Sequence, residues 1–127
     1  MTKEELNHKI TNICSSTSYD LLDTSLLKEE YTKPQLEYLK DNFCLTLMSA
    51  ISYYQHLKAF NDLYKTLPKN SHLKTELLGI IAQKTQDAYT QELQLNYFLV
   101  AFNKKQDIKD KMNQIEEQNS QKKTLNS

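Results

Sequence analysis

The sequence contains one glycine, two prolines and no arginine. Sheet proteins need many tight turns, and those turns favour glycine or asparagine at positive φ. A single glycine, Gly79, is too few for an all-β fold of 127 residues. The two prolines, Pro34 and Pro68, leave room for two long uninterrupted helices. The scarcity of both residue types therefore predicts an all-α fold.

The absence of arginine removes one kind of recognition chemistry. All sixteen basic residues are lysines, and they balance sixteen acidic residues to a formal net charge of zero. Arginine supplies the planar fork that binds phosphate and carboxylate groups through two points. The largest lysine groupings are the pairs Lys104–Lys105 and Lys122–Lys123. The sequence therefore shows no basic face of the kind that nucleic-acid-binding proteins use, which argues against a nucleic-acid partner.

Cysteines and long apolar runs are also scarce. Cys14 and Cys44 are too few for a disulfide scaffold, and both lie among apolar residues. The amino terminus lacks the apolar stretch of a signal peptide, and no segment reaches the roughly 18 apolar residues of a membrane span. We expect a protein that is cytoplasmic as synthesised and has no membrane span. Export into a host cell without a cleaved leader is the alternative.

Helical spacing of apolar residues organises most of the chain. Thr2 and Glu5 have the spacing of a capping box, which predicts a helix over about residues 3–15. A weaker apolar stripe predicts a second helix over about residues 19–30. Both are short compared with the helices predicted after them.

Two longer helices follow. Pro34, in a first turn, begins a helix predicted over about residues 34–66, and Ser71 caps another over about residues 71–103. Similar lengths and a short proline-containing connection predict an antiparallel hairpin. Together with the two short helices, the hairpin predicts a four-helix-bundle-like fold.

The chain shows no repeat and no interdomain linker. We predict a single helical domain over residues 1–118, in which residues 103–106 weaken or end the last long helix. The polar residues 119–127 predict a flexible tail.

Each long helix carries a second apolar stripe beside the one that a hairpin needs. Two explanations stay open: the short helices cover these stripes, or the stripes receive a partner protein or a second copy of the chain. The chain also has eight tyrosines, a residue type that suits contact surfaces. The candidate partner or oligomer interface comprises Leu78, Tyr89, Leu93, Tyr97, Val100, Met48, Tyr53 and Phe60.

No arrangement of residues predicts catalysis or metal binding. His8, His56 and His72 have no metal-ligand partner at the three- or four-residue spacing of a helical site. Cys44 and His56 would lie about 18 Å apart along one helix, which is too far for a nucleophile and its base. The sequence has no glycine-rich phosphate loop and no nucleophile elbow. We therefore expect no enzyme, no catalytic residue, no metal and no cofactor.

The carboxyl-terminal tail contains a glutamate pair, Glu116–Glu117, then small polar and lysine residues, and Leu125 third from the end. This pattern resembles the translocation signal of Dot/Icm type IV effectors from Legionella. The resemblance covers only the tail. It implies type IV secretion and a small all-helical effector that regulates another effector, like the inhibitor of ubiquitin-deamidating and transglutaminating effectors. It assigns no functional residue.

Three functions are compatible with these features. The favoured one is a non-enzymatic protein-binding module that acts as an inhibitor or adaptor of a partner such as a larger enzyme, either alone or as a homodimer. The second is a nucleic-acid-associated regulator encoded by a phage or plasmid. The third is a self-assembling structural helix bundle.

Overall fold

The computed structural model describes residues 1–15 and 23–125, with side chains as far as Gln121. All regular structure in these residues is helical, and a long last helix packs against the others in an all-α, bundle-like fold, as the sequence predicted. The elements are α1 (Lys3–Ser15), a 3-10 turn (Thr24–Leu26), α2 (Lys33–Asn42), α3 (Cys44–Thr66) and α4 (His72–Leu125).

Polar side chains start two of the helices where the sequence predicted a start. Thr32 and Gln35 cap α2 reciprocally: the Thr32 hydroxyl accepts from the Gln35 N–H at 3.3 Å, and the Gln35 side chain accepts from the Thr32 N–H at 2.8 Å. Pro34 lies in that first turn, where no N–H is needed. At α4, the Ser71 hydroxyl accepts from the Leu73 N–H at 3.2 Å. These caps satisfy N–H groups that a helix start leaves without a partner.

Phe43 breaks the helix that the sequence predicted as continuous from residue 34 to 66. Its φ of −137° and ψ of 42° lie outside the helical region. Its N–H still donates to the Leu39 carbonyl, at 2.7 Å. The Phe43 ring stacks on Phe98 of α4 with the ring centroids 3.8 Å apart. Because no proline or glycine marks this position, the break follows from tertiary packing that the local sequence does not reveal.

The prediction of a weak helix over about residues 19–30 is wrong for the described part of that range. Residues 23–30 contain only the 3-10 turn and irregular backbone, and residues 19–22 lie outside the described residues. Asp23 Oδ1 accepts from the Ser25 N–H at 3.1 Å and also from the Ser25 hydroxyl. Side-chain bonds of this kind compete with helical hydrogen bonding and favour a turn.

The sequence predicted that residues 103–106 weaken or end the last long helix. In the structure α4 continues to Leu125. It has 54 residues, against 23 in α3, and is about 80 Å long at 1.5 Å per residue. Residues 119–125, assigned from the sequence to a flexible tail, continue its helical backbone. Neither α4 nor any other helix in the described residues is both long and apolar enough to cross a membrane.

α3 and α4 form an antiparallel hairpin whose core has two parts. α1 contributes the fully buried Leu6 to the part near the hairpin turn, and the segment before α2 contributes Leu27 to the other. The part near the turn contains Leu6, Phe60, Leu63, Leu67, Leu73 and Leu77. The other part contains Leu27, Leu39, Leu47, Ala50, Ile51, Tyr54, Leu57, Ala88, Leu95 and Leu99.

α3 also buries a histidine. His56 is 7% exposed, and its ring lies 6.2 Å from that of Tyr53. Burial, with a smaller contribution from the charge of Lys84, lowers the pKa of His56 below its ordinary value of 6.5. The folded state therefore favours the neutral imidazole.

Two neighbouring leucines of α4 provide a matched test of the core. Leu77 is fully buried, whereas Leu78 is 47% exposed. We expect Leu77→Asp to lower the free energy of unfolding by about 3 kcal/mol or more, because it places an unpaired charge in the core. Leu78→Asp should change it by about 0.5 kcal/mol or less. Thermal unfolding monitored by circular dichroism measures both changes. Equal losses of stability would contradict the assignment of Leu77 to the buried face and Leu78 to the exposed face.

The lowered pKa of His56 predicts a pH dependence of stability. The unfolded chain binds more protons than the folded one between the folded pKa and 6.5, so stability falls as the pH drops below 6.5. We expect His56→Gln to lose less stability than the wild-type chain between pH 7.5 and pH 5. Urea unfolding at both pH values measures this difference, and parallel losses would show that His56 does not contribute.

Candidate protein-binding surface

α4 carries an apolar face that the described chain leaves uncovered, here called the outer face. It is turned about 100° or more from the buried stripe of the same helix that contains Leu77 and Leu95, at 100° per residue. Each of its large side chains is 47% exposed or more. They are Leu78, Tyr89, Leu93, Tyr97 and Val100.

Residues 88–103 of α4, which carry four of the five side chains of the outer face, lack surface charge. The one charged residue between Asp87 and Lys104 is Glu92, which is only 3% exposed. Surface helices normally carry charged residues on the solvent side, whereas the centres of protein interfaces are depleted of them. The solvent-facing side of residues 88–103 is therefore neutral as well as apolar.

A groove opens beside the carboxyl-terminal end of the outer face, next to the break between α2 and α3. Its volume is about 360 Å³. Lys104 is the one charged residue in its lining, and Tyr97 and Val100 belong to both the groove and the outer face. The lining comprises Tyr38, Phe43, Tyr97, Phe98, Val100, Ala101 and Lys104. We call it the aromatic groove.

Aromatic rings form a connected row along this groove. Phe43 stacks on Phe98, and the Tyr38 ring lies 6.0 Å from Phe43 and stacks on Phe102 at 4.8 Å. The Tyr97 ring lies 6.2 Å from Phe98 at a steep angle and is 75% exposed. Such pairs contribute about 0.5–1.5 kcal/mol each beyond the area they bury. The row therefore holds α2 against α4 and presents its outermost ring to solvent.

Glu92 fixes the segment that precedes α2. Its carboxylate accepts from the Glu29 N–H at 3.0 Å, the Lys28 N–H at 3.4 Å and the Tyr54 hydroxyl at 2.5 Å. The Tyr31 hydroxyl lies 3.3 Å from the same carboxylate. A buried carboxylate is costly unless donors of this kind surround it. Since the segment has no regular hydrogen-bond ladder, these bonds determine where its backbone lies on α4.

Both tyrosines keep their protons in this environment. Burial, followed by the charge of Glu92, raises the pKa of Tyr31. Burial and the hydrogen bond to Glu92 raise the pKa of Tyr54. The Tyr31 hydroxyl also lies 2.8 Å from the side-chain amide of Asn96, one turn further along α4. The two phenols therefore remain hydrogen-bond donors throughout the neutral range. Tyr31 attaches the segment before α2 to α4, and Tyr54 attaches α3 to α4.

The predicted interface residues lie in three environments. Five of the eight form the outer face described above. Met48 and Tyr53 are half-buried, and the Lys84 Nζ lies 4.6 Å from the centre of the Tyr53 ring. Phe60 has no exposed surface, so its prediction as a contact residue is wrong. It packs in the core near the hairpin turn because α1 places Leu6 against that side of α3.

Sequence reasoning missed three of the four aromatic residues that line the groove. Phe43 lies inside the helix that was predicted as continuous over residues 34–66, and Tyr38 and Phe98 were not among the predicted interface residues. The groove exists because the helix breaks at Phe43, and no residue type marks that break. The available signal was the concentration of aromatic residues at Tyr97, Phe98 and Phe102.

The side chains of this surface are suited to contact with another protein. Its side chains can bury apolar area, stack on rings and offer tyrosine hydroxyls to a partner. Cys14 is exposed and Cys44 is half-buried, and both are free thiols. Within residues 1–15 and 23–121, no three His, Cys, Asp or Glu side chains are grouped so that they could hold a metal ion.

Comparison of the chain with protein-family models, curated proteins and solved structures gives no match.

Glu92 can be tested by a change that keeps its size. Glu92→Gln removes the charge and turns one acceptor oxygen into a donor that faces other donors. We expect it to lower the free energy of unfolding by about 1.5–3 kcal/mol, as for hydrogen bonds to charged groups. Glu37→Gln, at an exposed position of α2, is the matched control. Equal effects in urea unfolding would show that Glu92 does not hold the segment.

Proposed function

We propose that this chain is a non-enzymatic protein-binding module that acts as an inhibitor or adaptor of a partner protein. The outer face and the aromatic groove form the contact surface. The observation that carries the proposal is the neutral, apolar side of α4 over residues 88–103, where the one charged residue is buried. A solvated helix gains nothing from such a face, whereas the centre of an interface has this composition.

The partner that fits this surface is an amphipathic helix. The outer face is a long helical stripe, and a second helix packed along it would bury the largest apolar area. Tyr97, at the junction with the aromatic groove, would be the central anchor, since exposed aromatic residues often dominate binding energy. Lys104 in the groove lining favours an acidic residue at the corresponding end of the partner helix.

The resemblance of the tail to a Dot/Icm signal suggests where to look for the partner. It points to a larger effector enzyme, including those that deamidate or transglutaminate ubiquitin. It also makes delivery by type IV secretion part of the proposal. An enzyme encoded beside this chain is a second candidate. A nucleic-acid-associated regulator is supported less well, because the uncovered surface is neutral and not basic.

Binding of purified candidate enzymes tests the proposal. We expect a stoichiometric complex in size-exclusion chromatography and a change in the activity of the bound enzyme. Leu93→Asp and Val100→Asp should each weaken the complex by about tenfold or more, because each places a charge in a desolvated contact. Isothermal titration calorimetry measures the affinity, and circular dichroism shows that the variants are folded.

Leu45→Asp is the matched control, because Leu45 is 80% exposed, lies on α3 and does not line the groove. It should bind as the wild-type chain does. A complex that tolerates Leu93→Asp and Val100→Asp would place the binding surface elsewhere. The absence of a complex with every candidate enzyme would count against an inhibitor.

A further inference from the structure

The last part of α4 has no cover from the rest of the described chain. The Gln35 side chain donates to Asn103 Oδ1 at 3.1 Å. From Asn103 to Gln121, every described side chain is exposed. The helical segment 103–125, here called the distal helix, therefore projects about 30 Å or more past the bundle at 1.5 Å per residue.

The distal helix carries its own apolar stripe. Ile108, Met112 and Ile115 have the i, i+4, i+7 spacing of one helix face and are 59%, 57% and 56% exposed. Helices in proteins gain most of their stability by packing an apolar face, and beyond Asn103 the distal helix packs against nothing in the described chain. Its stripe gives the distal helix a means of gaining stability from a second helix.

Charges beside the stripe distinguish between partner orientations. Lys109 and Glu116 occupy equivalent heptad positions next to the stripe, seven residues apart. If two distal helices run antiparallel, Lys109 of each lies beside the partner's Glu116, which gives two attractive pairs. If they run parallel, Lys104 lies beside the partner's Lys109, which is repulsive, and Lys111 lies beside the partner's Glu116, which is attractive, so the two kinds of pair offset each other. The charges therefore favour an antiparallel pair of identical helices.

The lengths of the segments agree with the same alignment. The pairing of Met112 with Ile115 places the two-fold axis between residues 113 and 114, and the midpoint of the flanking pair Lys109 and Glu116 lies one residue from it. The middle of the distal helix, residues 103–125, is residue 114. In this alignment residues 103–124 of one distal helix overlap residues 103–124 of the other, and the two bundles lie at opposite ends without meeting.

We propose that the distal helix binds the distal helix of a second copy of this chain, forming an antiparallel two-helix coiled coil with two-fold symmetry. Its centre consists of Met112 against the partner's Ile115, repeated by symmetry, with Ile108 next to it on each side. The overlap begins after the outer face ends, so each copy keeps that face free. The dimer does not depend on the proposed function and would present two outer faces to partners.

Sedimentation equilibrium of the full chain tests the dimer. We expect a reversible monomer–dimer equilibrium in the wild-type chain, which Ile108→Asp and Ile115→Asp abolish. Lys109→Glu and Glu116→Lys should each weaken the dimer by about tenfold, because each turns two attractive pairs into repulsive ones. The double variant Lys109→Glu/Glu116→Lys should restore the wild-type affinity, because it exchanges the charges of both pairs.

The adjacent residue supplies the matched control. Glu117 lies on the side of the distal helix away from the stripe, so Glu117→Lys should leave the affinity unchanged. Lys109→Glu also reports the orientation, since in a parallel pair it would strengthen the dimer by pairing with the partner's Lys104. The proposal is overturned if the wild-type chain stays monomeric or if the double variant does not recover the wild-type affinity. It is also overturned if Glu117→Lys weakens the dimer as much as Glu116→Lys does. Leu93→Asp should leave the dimer intact, so failure of the dimer and failure of the outer face are measured separately.

Discussion

The structure depends on a mismatch between α4 and the elements that pack on it. α4 has 54 residues, whereas α3, its main partner, has 23. α1, α2 and residues 23–32 add cover on the inner side of the hairpin. A helix gains most of its stability from the apolar side that it buries, so the parts of α4 that carry apolar residues without cover need another explanation. The two uncovered parts of α4 are the outer face and the distal helix, and each is proposed to bind another helix.

The two uncovered parts of α4 differ in composition and therefore suit different partners. The outer face has no surface charge between Asp87 and Lys104, and its rings join a row of stacked aromatic residues. Glu92, which is buried, holds the segment that leads to α2 and so keeps the groove in place. The distal helix instead alternates lysine with acidic residues around a narrow stripe, as helices in coiled coils do.

The sequence was sufficient for the fold class, the caps at Thr32 and Ser71, and most of the outer face, because these follow from residue type and helical spacing. The break at Phe43 was not predictable, since it follows from stacking on Phe98 and not from a proline or glycine. Phe60 was misplaced because its burial depends on where α1 docks. The role of Glu92 was not predictable either, because the groups that donate hydrogen bonds to it belong to residues more than thirty positions away along the chain.

Hydroxyl-radical footprinting of the free chain tests the central claim most directly. The claim is that the described part of the chain leaves the outer face of α4 uncovered. Side chains in solvent are oxidised quickly, and buried ones are protected. Tyr97, at 75% exposed, should be oxidised much faster than Tyr54, at 7%. If Tyr97 in the monomer is protected to the same extent as Tyr54, this chain covers its own outer face, and no binding surface remains there to explain.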